Sequence, residues 1–150
     1  MPDLAALVDL EQRCFPGDRI SRRGFRHMLT RGNAHLLVVD EAGQMVACLV
    51  LLFRRGSSVA RLYSIAVHPR RRGTGLAARL VHAAEREARR RGAGEMRLEV
   101  RADNQPSQKL FSRLGYACVA RSGGYYSDGT AALRFRRRLE ALNDGCANVP

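Results

Sequence analysis

Tryptophan is absent from the 150 residues, lysine occurs once, at Lys109, and aromatic side chains make up only 6% of the chain. A surface that grips nucleic acid by stacking bases on aromatic rings is therefore poorly supplied, and neither a helix-turn-helix nor a zinc-finger pattern is present. Cysteine is sparse as well. Cys14, Cys48, Cys118 and Cys146 lie far apart with no C-x-x-C pair, which argues against a zinc site or a disulfide framework. Cys48 and Cys118 stand in apolar runs and read as small core residues. No apolar stretch approaches the roughly 20 residues of a membrane span, and no charged-then-apolar leader opens the chain. The expectation is a reduced, cytoplasmic protein with no metal and no membrane partner. Acidic residues are the last shortage: 14 stand against 26 Lys and Arg, a formal charge of +12. Residues 1–60 hold eight basic and six acidic side chains, and residues 61–150 hold eighteen and eight. Such a field favours an anionic partner: nucleic acid, a phosphorylated cofactor or an acidic peptide.

What the chain does have is enough apolar material for a core. At 45% hydrophobic, a chain of this length forms one domain that buries roughly 68–70% of its unfolded surface. Leu4, Leu7, Val8, Cys14 and Phe15 mark a first helix ended by Pro16-Gly17, and Ser21 caps a second with Phe25, Met28 and Leu29 inward. Apolar runs at 35–40, 44–53 and 59–67, separated by turns, predict three antiparallel strands. The period then changes: Leu76, Leu80, Val81, Ala84 and Ala88 predict a long helix closed by Gly92, followed by a short strand at 96–100. Strand, helix and strand in that order imply parallel pairing. A helix at 105–114 and strands at 116–120 and 131–139 complete a single α/β domain with a mixed, mostly antiparallel sheet and helices on both faces. In the last strand Ala131, Leu133 and Phe135 are expected inward, with Ala132, Arg134 and Arg136 in solvent.

The chemically informative segment is Ile65-Ala66-Val67-His68-Pro69-Arg70-Arg71-Arg72-Gly73-Thr74-Gly75-Leu76-Ala77. It joins a strand to the long helix. Glycine lets the backbone turn tightly and approach a ligand, and the first helical turn offers unpaired N–H groups with the positive end of the helix dipole. With three arginines in front, this makes a pyrophosphate-binding site without a Walker lysine.

At Arg72-Gly73-Thr74-Gly75-Leu76-Ala77 the chain resembles the GNAT superfamily of acyl-CoA-dependent N-acetyltransferases, whose signature is Q/R-x-x-G-x-G/A at this junction. Leu98-Glu99-Val100-Arg101-Ala102-Asp103-Asn104 and Leu110-Phe111-Ser112-Arg113-Leu114-Gly115-Tyr116 resemble its ribosomal-protein-alanine N-acetyltransferase (RimI) branch. The resemblance covers about Leu4 to Leu139, so residues 1–139 are expected to be the catalytic domain and 140–150 a loose tail. It implies acetyl-CoA as cosubstrate and direct transfer to a primary amine, foremost a protein or peptide N-terminal α-amine, with a ribosomal protein as one candidate acceptor. It also implies site residues. Backbone groups of Ile65, Ala66 and Val67 would hold the pantetheine arm, and N–H groups from Arg72 through Gly73, Thr74, Gly75, Leu76 and Ala77 the pyrophosphate. Asn104 would contact the cofactor near its thiol, Phe111 would stand beside it, and Glu99 would serve, through water, as base for the amine.

Two departures from the family stand out. Phe111 replaces the tyrosine that protonates the departing thiolate, so Tyr125, Tyr126, Tyr116 or solvent is the candidate substitute, with Tyr125 and Tyr126 also resembling the branch's substrate-facing tyrosines. Met1-Pro2-Asp3 leaves no room for the family's leading strand, so either the start is truncated or the sheet lacks that edge. The alternative to the base at Glu99 is a strand carboxylate paired with Arg97 or Arg101. Competing functions are a small-amine acetyltransferase, a basic nucleic-acid-binding module, and a domain that senses acyl-CoA without turnover.

Overall fold

The computed structural model describes residues 3–140, so residues 141–150 of the expected tail lie outside the described residues. Helix α1 (Leu4–Cys14) starts where the Asp3 carboxylate accepts a hydrogen bond from the Ala5 N–H at 2.9 Å. Ser21 caps α2 (Arg22–Arg31) through the Gly24 N–H at 3.0 Å, as its position predicts. Strands β1 (Ala34–Glu41), β2 (Gln44–Phe53) and β3 (Val59–Val67) form the expected antiparallel meander. Helix α3 (Leu76–Arg90) then crosses over to β4 (Glu95–Arg101), which runs parallel to β3. Helix α4 (Gln105–Arg113), β5 (Ala117–Ser122) and β6 (Ala132–Arg138) follow.

The six strands are ordered β1-β2-β3-β4-β6-β5, so β6 inserts between β4 and β5. Two apolar layers flank them. Leu7 and Leu10 of α1 and Phe25 of α2 pack on Cys48, Val50 and Ala66, while Leu80, Val81, Ala84 and Ala88 of α3 pack on Leu49, Leu62, Met96 and Leu98. Helices thus cover both faces, and among the described residues no strand precedes α1, so β1 is the sheet edge.

Two side-chain assignments need correction. Cys118 is exposed, not core, because β5 is an edge strand whose six residues all face solvent. Ala132 is buried, at 2% exposure, because β6 is an interior strand and the small methyl sits between Arg101 of β4 and Ser122 of β5.

Candidate active site

Asp3, Ser21 and Asn104 each cap a helix with a side-chain oxygen. The start of α3 differs: its N-cap is Gly75, which has no side chain to offer. Among the described residues the N–H groups from Gly73 to Ala78 find no protein acceptor. Gly73 and Gly75 adopt φ of +75° and +81°, in the left-handed region that favours glycine. A Cβ at either position would meet nothing within 4 Å, so the loop opens onto free space. Thr74 pins the loop by donating its hydroxyl to the Arg71 carbonyl. A row of unpaired donors at the positive end of a helix, with open space before it, suits an anion such as a pyrophosphate.

The three arginines before the loop do not aim into it. Arg70 donates to Gln44 at 2.8 Å, Arg71 pairs with Glu41 at 2.8 Å, and Arg72 Nε donates to the Val67 carbonyl at 3.3 Å. The β1–β2 turn lies close enough to capture the first two. An anion at this loop would therefore meet chiefly backbone N–H groups.

The β3 edge that leads to this loop is unpaired for a structural reason. Parallel pairing of β3 and β4 covers only Val59–Leu62 against Glu95–Leu98. Beyond it the strands part. Opposite β2, Leu51 pairs with Leu62 but Val50 pairs with Ser64, so Tyr63 is an extra, bulged residue. A bulge bends its strand and raises the local twist, and here it turns β3 away from β4. Ile65, Ala66 and Val67 are thereby left without a β4 partner along that edge, as a pantetheine arm would require. The Val67 carbonyl already accepts from the Cys14 thiol at 3.3 Å as well as from Arg72.

Glu99 stands on β4 one residue past the last paired position, with its side chain 13% exposed. Its partners are not the neighbours Arg97 or Arg101. Arg61 Nη2 approaches Oε2 at 3.2 Å and Arg134 Nε approaches Oε1 at 3.6 Å, one from each adjoining strand. The same Arg61 Nη2 donates to the Tyr125 hydroxyl at 3.0 Å. Tyr125 in turn meets Tyr126 edge-on, ring centroids 5.0 Å apart. Burial first, then proximity to Tyr125 and Glu99, pushes the Tyr126 hydroxyl up to about 12. It therefore keeps its proton at neutral pH.

Arg101 fixes the tyrosine loop. Its guanidinium binds Asp128, donates to Thr130 at 2.9 Å and to Asp103 at 3.1 Å, and lies 4.8 Å from the Tyr126 ring centroid. It also reaches Asp18, in the loop after α1, at 3.7 Å. Asp18 has φ of +52°, an uncommon backbone conformation for a residue other than glycine. One guanidinium thus joins both loops beside Glu99. Sequence reasoning missed Arg61, Arg134 and Arg101 because their roles depend on cross-strand register. The signal was charge at alternating positions of β4 and β6, with a lone Arg61 on β3.

Other expected residues are placed differently. Tyr116 is no substitute acid: it is 4% exposed and donates to Glu85 at 2.7 Å, and burial followed by that carboxylate holds its hydroxyl far above the ordinary tyrosine range. Phe111 is 2% exposed and packs edge-on to Tyr116, so it contributes core rather than open groove wall. Asn104 spends its Oδ1 on the Ser107 N–H at 3.2 Å, leaving its amide N–H groups for any ligand.

The chain matches the acetyltransferase (GNAT) family over residues 4–116. It is 25% identical over 129 residues to a proposed ribosomal-protein-bS18-alanine N-acetyltransferase of Bacillus subtilis, covering 85% of this chain and 83% of that one. It is 38% identical over 64 residues to N-alpha-acetyltransferase 30 of Schizosaccharomyces pombe, a match that covers 43% of each chain. The crystal structure of the ribosomal-protein-S18-alanine N-acetyltransferase from Escherichia coli superposes with a TM-score of 0.83 at 26% identity, over 95% of this chain and 91% of that one. The family match spans the uncapped helix, the parted strands and Glu99 alike, and the chain accordingly belongs to the GNAT family of acetyltransferases, enzymes that take their acyl group from acetyl-CoA.

Proposed function

We propose that this protein acetylates the N-terminal α-amine of a protein or peptide, by direct attack of the amine on the acetyl-CoA thioester. One observation carries the reading: the β3 edge that leads into the donor-lined start of α3 has no β4 partner past Leu62, and Glu99 is the first β4 residue beyond the paired stretch. Acetyl-CoA supplies the activated acetyl group, and the rest falls to the chain. Backbone N–H groups from Gly73 to Ala78 hold the pyrophosphate, and the free edge of β3 at Ile65–Val67 aligns the arm. An ammonium has no lone pair, so Glu99 accepts the amine's proton through a bridging water while Arg61 and Arg134 hold its carboxylate in place.

An α-amine, with a pKa of about 7.7–8.0, is partly neutral at cellular pH, whereas a lysine near 10.4 is not. That difference favours the α-amine, and the named functions of the Bacillus, fission yeast and Escherichia relatives support it. A ribosomal protein is the first acceptor to try, with a cytoplasmic setting as part of the same proposal. The departing thiol, with a pKa of about 8.5, leaves as a thiolate and takes its proton from solvent, so the acid that Phe111 lacks is not required, and Tyr126, pushed up to about 12, is a poor donor for that step.

The test is a thermal-shift titration with acetyl-CoA, followed by transfer assays on peptides that differ in their first residue. A ligand at a hundred times its Kd adds about 2.7 kcal/mol to stability. Absence of any shift at millimolar acetyl-CoA overturns the site. A shift without transfer to any peptide overturns the acceptor and favours a small amine or an acyl-CoA sensor.

A further inference from the structure

Helices α1 and α2 pack on β1, β2 and β3 but leave the same face of β4 and β6 to solvent. There Arg97, Arg134 and Arg136 keep 45%, 44% and 55% of their side chains exposed, and Arg61 of β3 keeps 41%. Register places Arg61 beside Arg97, and Arg97 directly opposite Arg136. Three guanidiniums thus stand in one row across three strands. Like charges at directly paired positions are destabilising, so the row is a cost to the fold. Glu95 and Glu99 are the carboxylates among them: Glu95 contacts Arg97 and lies 3.9 Å from Arg136, while Glu99 is shared by Arg61 and Arg134. Four cations around two anions leave the face positive. Arg61 Nε is also buried with no acceptor.

We propose that this bare sheet face binds the acceptor chain beyond its reacting amine, and that the acceptor is an acidic peptide, with Asp or Glu among the residues just after its N-terminus. The inference rests on the acetyl-transfer reading above and adds the acceptor's chemistry. Glu99 and the arginine row share a face, and Glu99 is paired directly with Arg134, two residues along β6 from Arg136. Alternate strand positions lie roughly 6.8 Å apart, the step at which an extended peptide repeats its own side chains on one face. A peptide whose amine sits at Glu99 can therefore set carboxylates one such step away, where Arg97 and Arg136 stand side by side. A phosphate backbone fits less well. It would carry a charge at every step past Glu95 and Glu99.

The experiment compares three peptides with the same first residue and with Glu, Gln or Lys at positions two to four. The Glu peptide is expected to exceed the Gln peptide by about tenfold in kcat/KM at low salt, as two or three exposed ion pairs would give, and the margin should shrink in high salt. In the Arg97→Glu/Arg136→Glu variant, with folding checked by its melt and acetyl-CoA shift, the order should reverse in favour of Lys. Equal kcat/KM for all three peptides overturns the acidic acceptor and leaves acetyl transfer intact. Loss of every transfer reaction in the wild type, with the acetyl-CoA shift retained, overturns the peptide acceptor and this inference together. A short RNA oligomer whose binding vanishes in the variant, with peptides unaffected, assigns the face to nucleic acid and overturns it as well.

Discussion

Glu99 and Glu85 show how one residue type serves two ends in this chain. Glu99 sits at the mouth of a gap, held by two partly exposed arginines and open to water. Replacing it with Gln keeps the shape but removes the proposed proton acceptor. We expect kcat to fall by about 10²–10⁴, the usual worth of general acid–base catalysis, with the acetyl-CoA shift retained; a steady-state pH profile checks this, and unchanged turnover removes Glu99 from the mechanism. Glu85 has a side chain only 2% exposed, and it accepts from Tyr116 at 2.7 Å and from Arg137 Nη1 at 2.8 and 2.9 Å. Glu85→Ala would strand a buried hydroxyl and a guanidinium that keeps about a third of its surface in solvent. The expected loss is roughly 2–4 kcal/mol, under the range for fully buried pairs, which a denaturant melt will read. Arg137 thus serves as the counter-charge of a buried carboxylate. Similarly, Arg90 and Arg91 close α3 by gripping Glu87 at 2.6 and 2.9 Å, beyond any general attraction to the helix dipole.

Helix α3 and strand β3 carry the site as elements. At the helix start, Gly75→Ala meets no steric obstacle, but φ of +81° costs an alanine about 1–2 kcal/mol. Part of that cost is relieved if the loop relaxes, which would disperse the donors. A calorimetric titration should show weaker acetyl-CoA binding in this variant with a modest change in melting temperature. On the strand, the bulge at Tyr63 offers a sharper test. Leu62 faces α3 and Ser64 faces Glu11 of α1, 3.4 Å away. Deleting Tyr63 leaves both facing as they do now, since the deleted residue is the one without a partner on β2. The deletion variant should therefore fold, with a straighter β3 that pairs further along β4. Its circular dichroism is expected to stay native while the acetyl-CoA shift disappears; a retained shift shows that the bulge does not make the groove.

At the scale of the whole molecule, charge sets the response to acid. Hydrogen bonds from Arg90 and Arg91 hold the Glu87 carboxyl down at about 2, and Arg101 with Thr130 does the same for Asp128. Their ordinary values are 4.5 and 3.8. The folded state therefore keeps these groups ionised where the unfolded chain takes up protons. Their stabilisation is complete above the ordinary values and is lost as pH falls from there to about 2. Melting temperatures from pH 6 to pH 2 should decline through that window, and Glu87→Gln should flatten the decline. The β3–α3–β4 crossover is legible in the sequence because Pro69, Gly73 and Gly75 punctuate a change of period, and Glu99 stands out through the motif around it. The partners of Glu99 are not legible there. Arg61 and Arg134 lie far from it along the chain and meet it only once β6 has inserted beside β4. Cys118 was misplaced for a related reason, since local apolarity does not reveal which strand ends up at an edge. Past Leu62 and Leu98, the two facing edges of β3 and β4 forgo a ladder that neighbouring strands elsewhere complete. Bound acetyl-CoA would stand in for the missing strand, so the slowing of amide exchange on binding should concentrate along those two edges and fade towards β1 and β5.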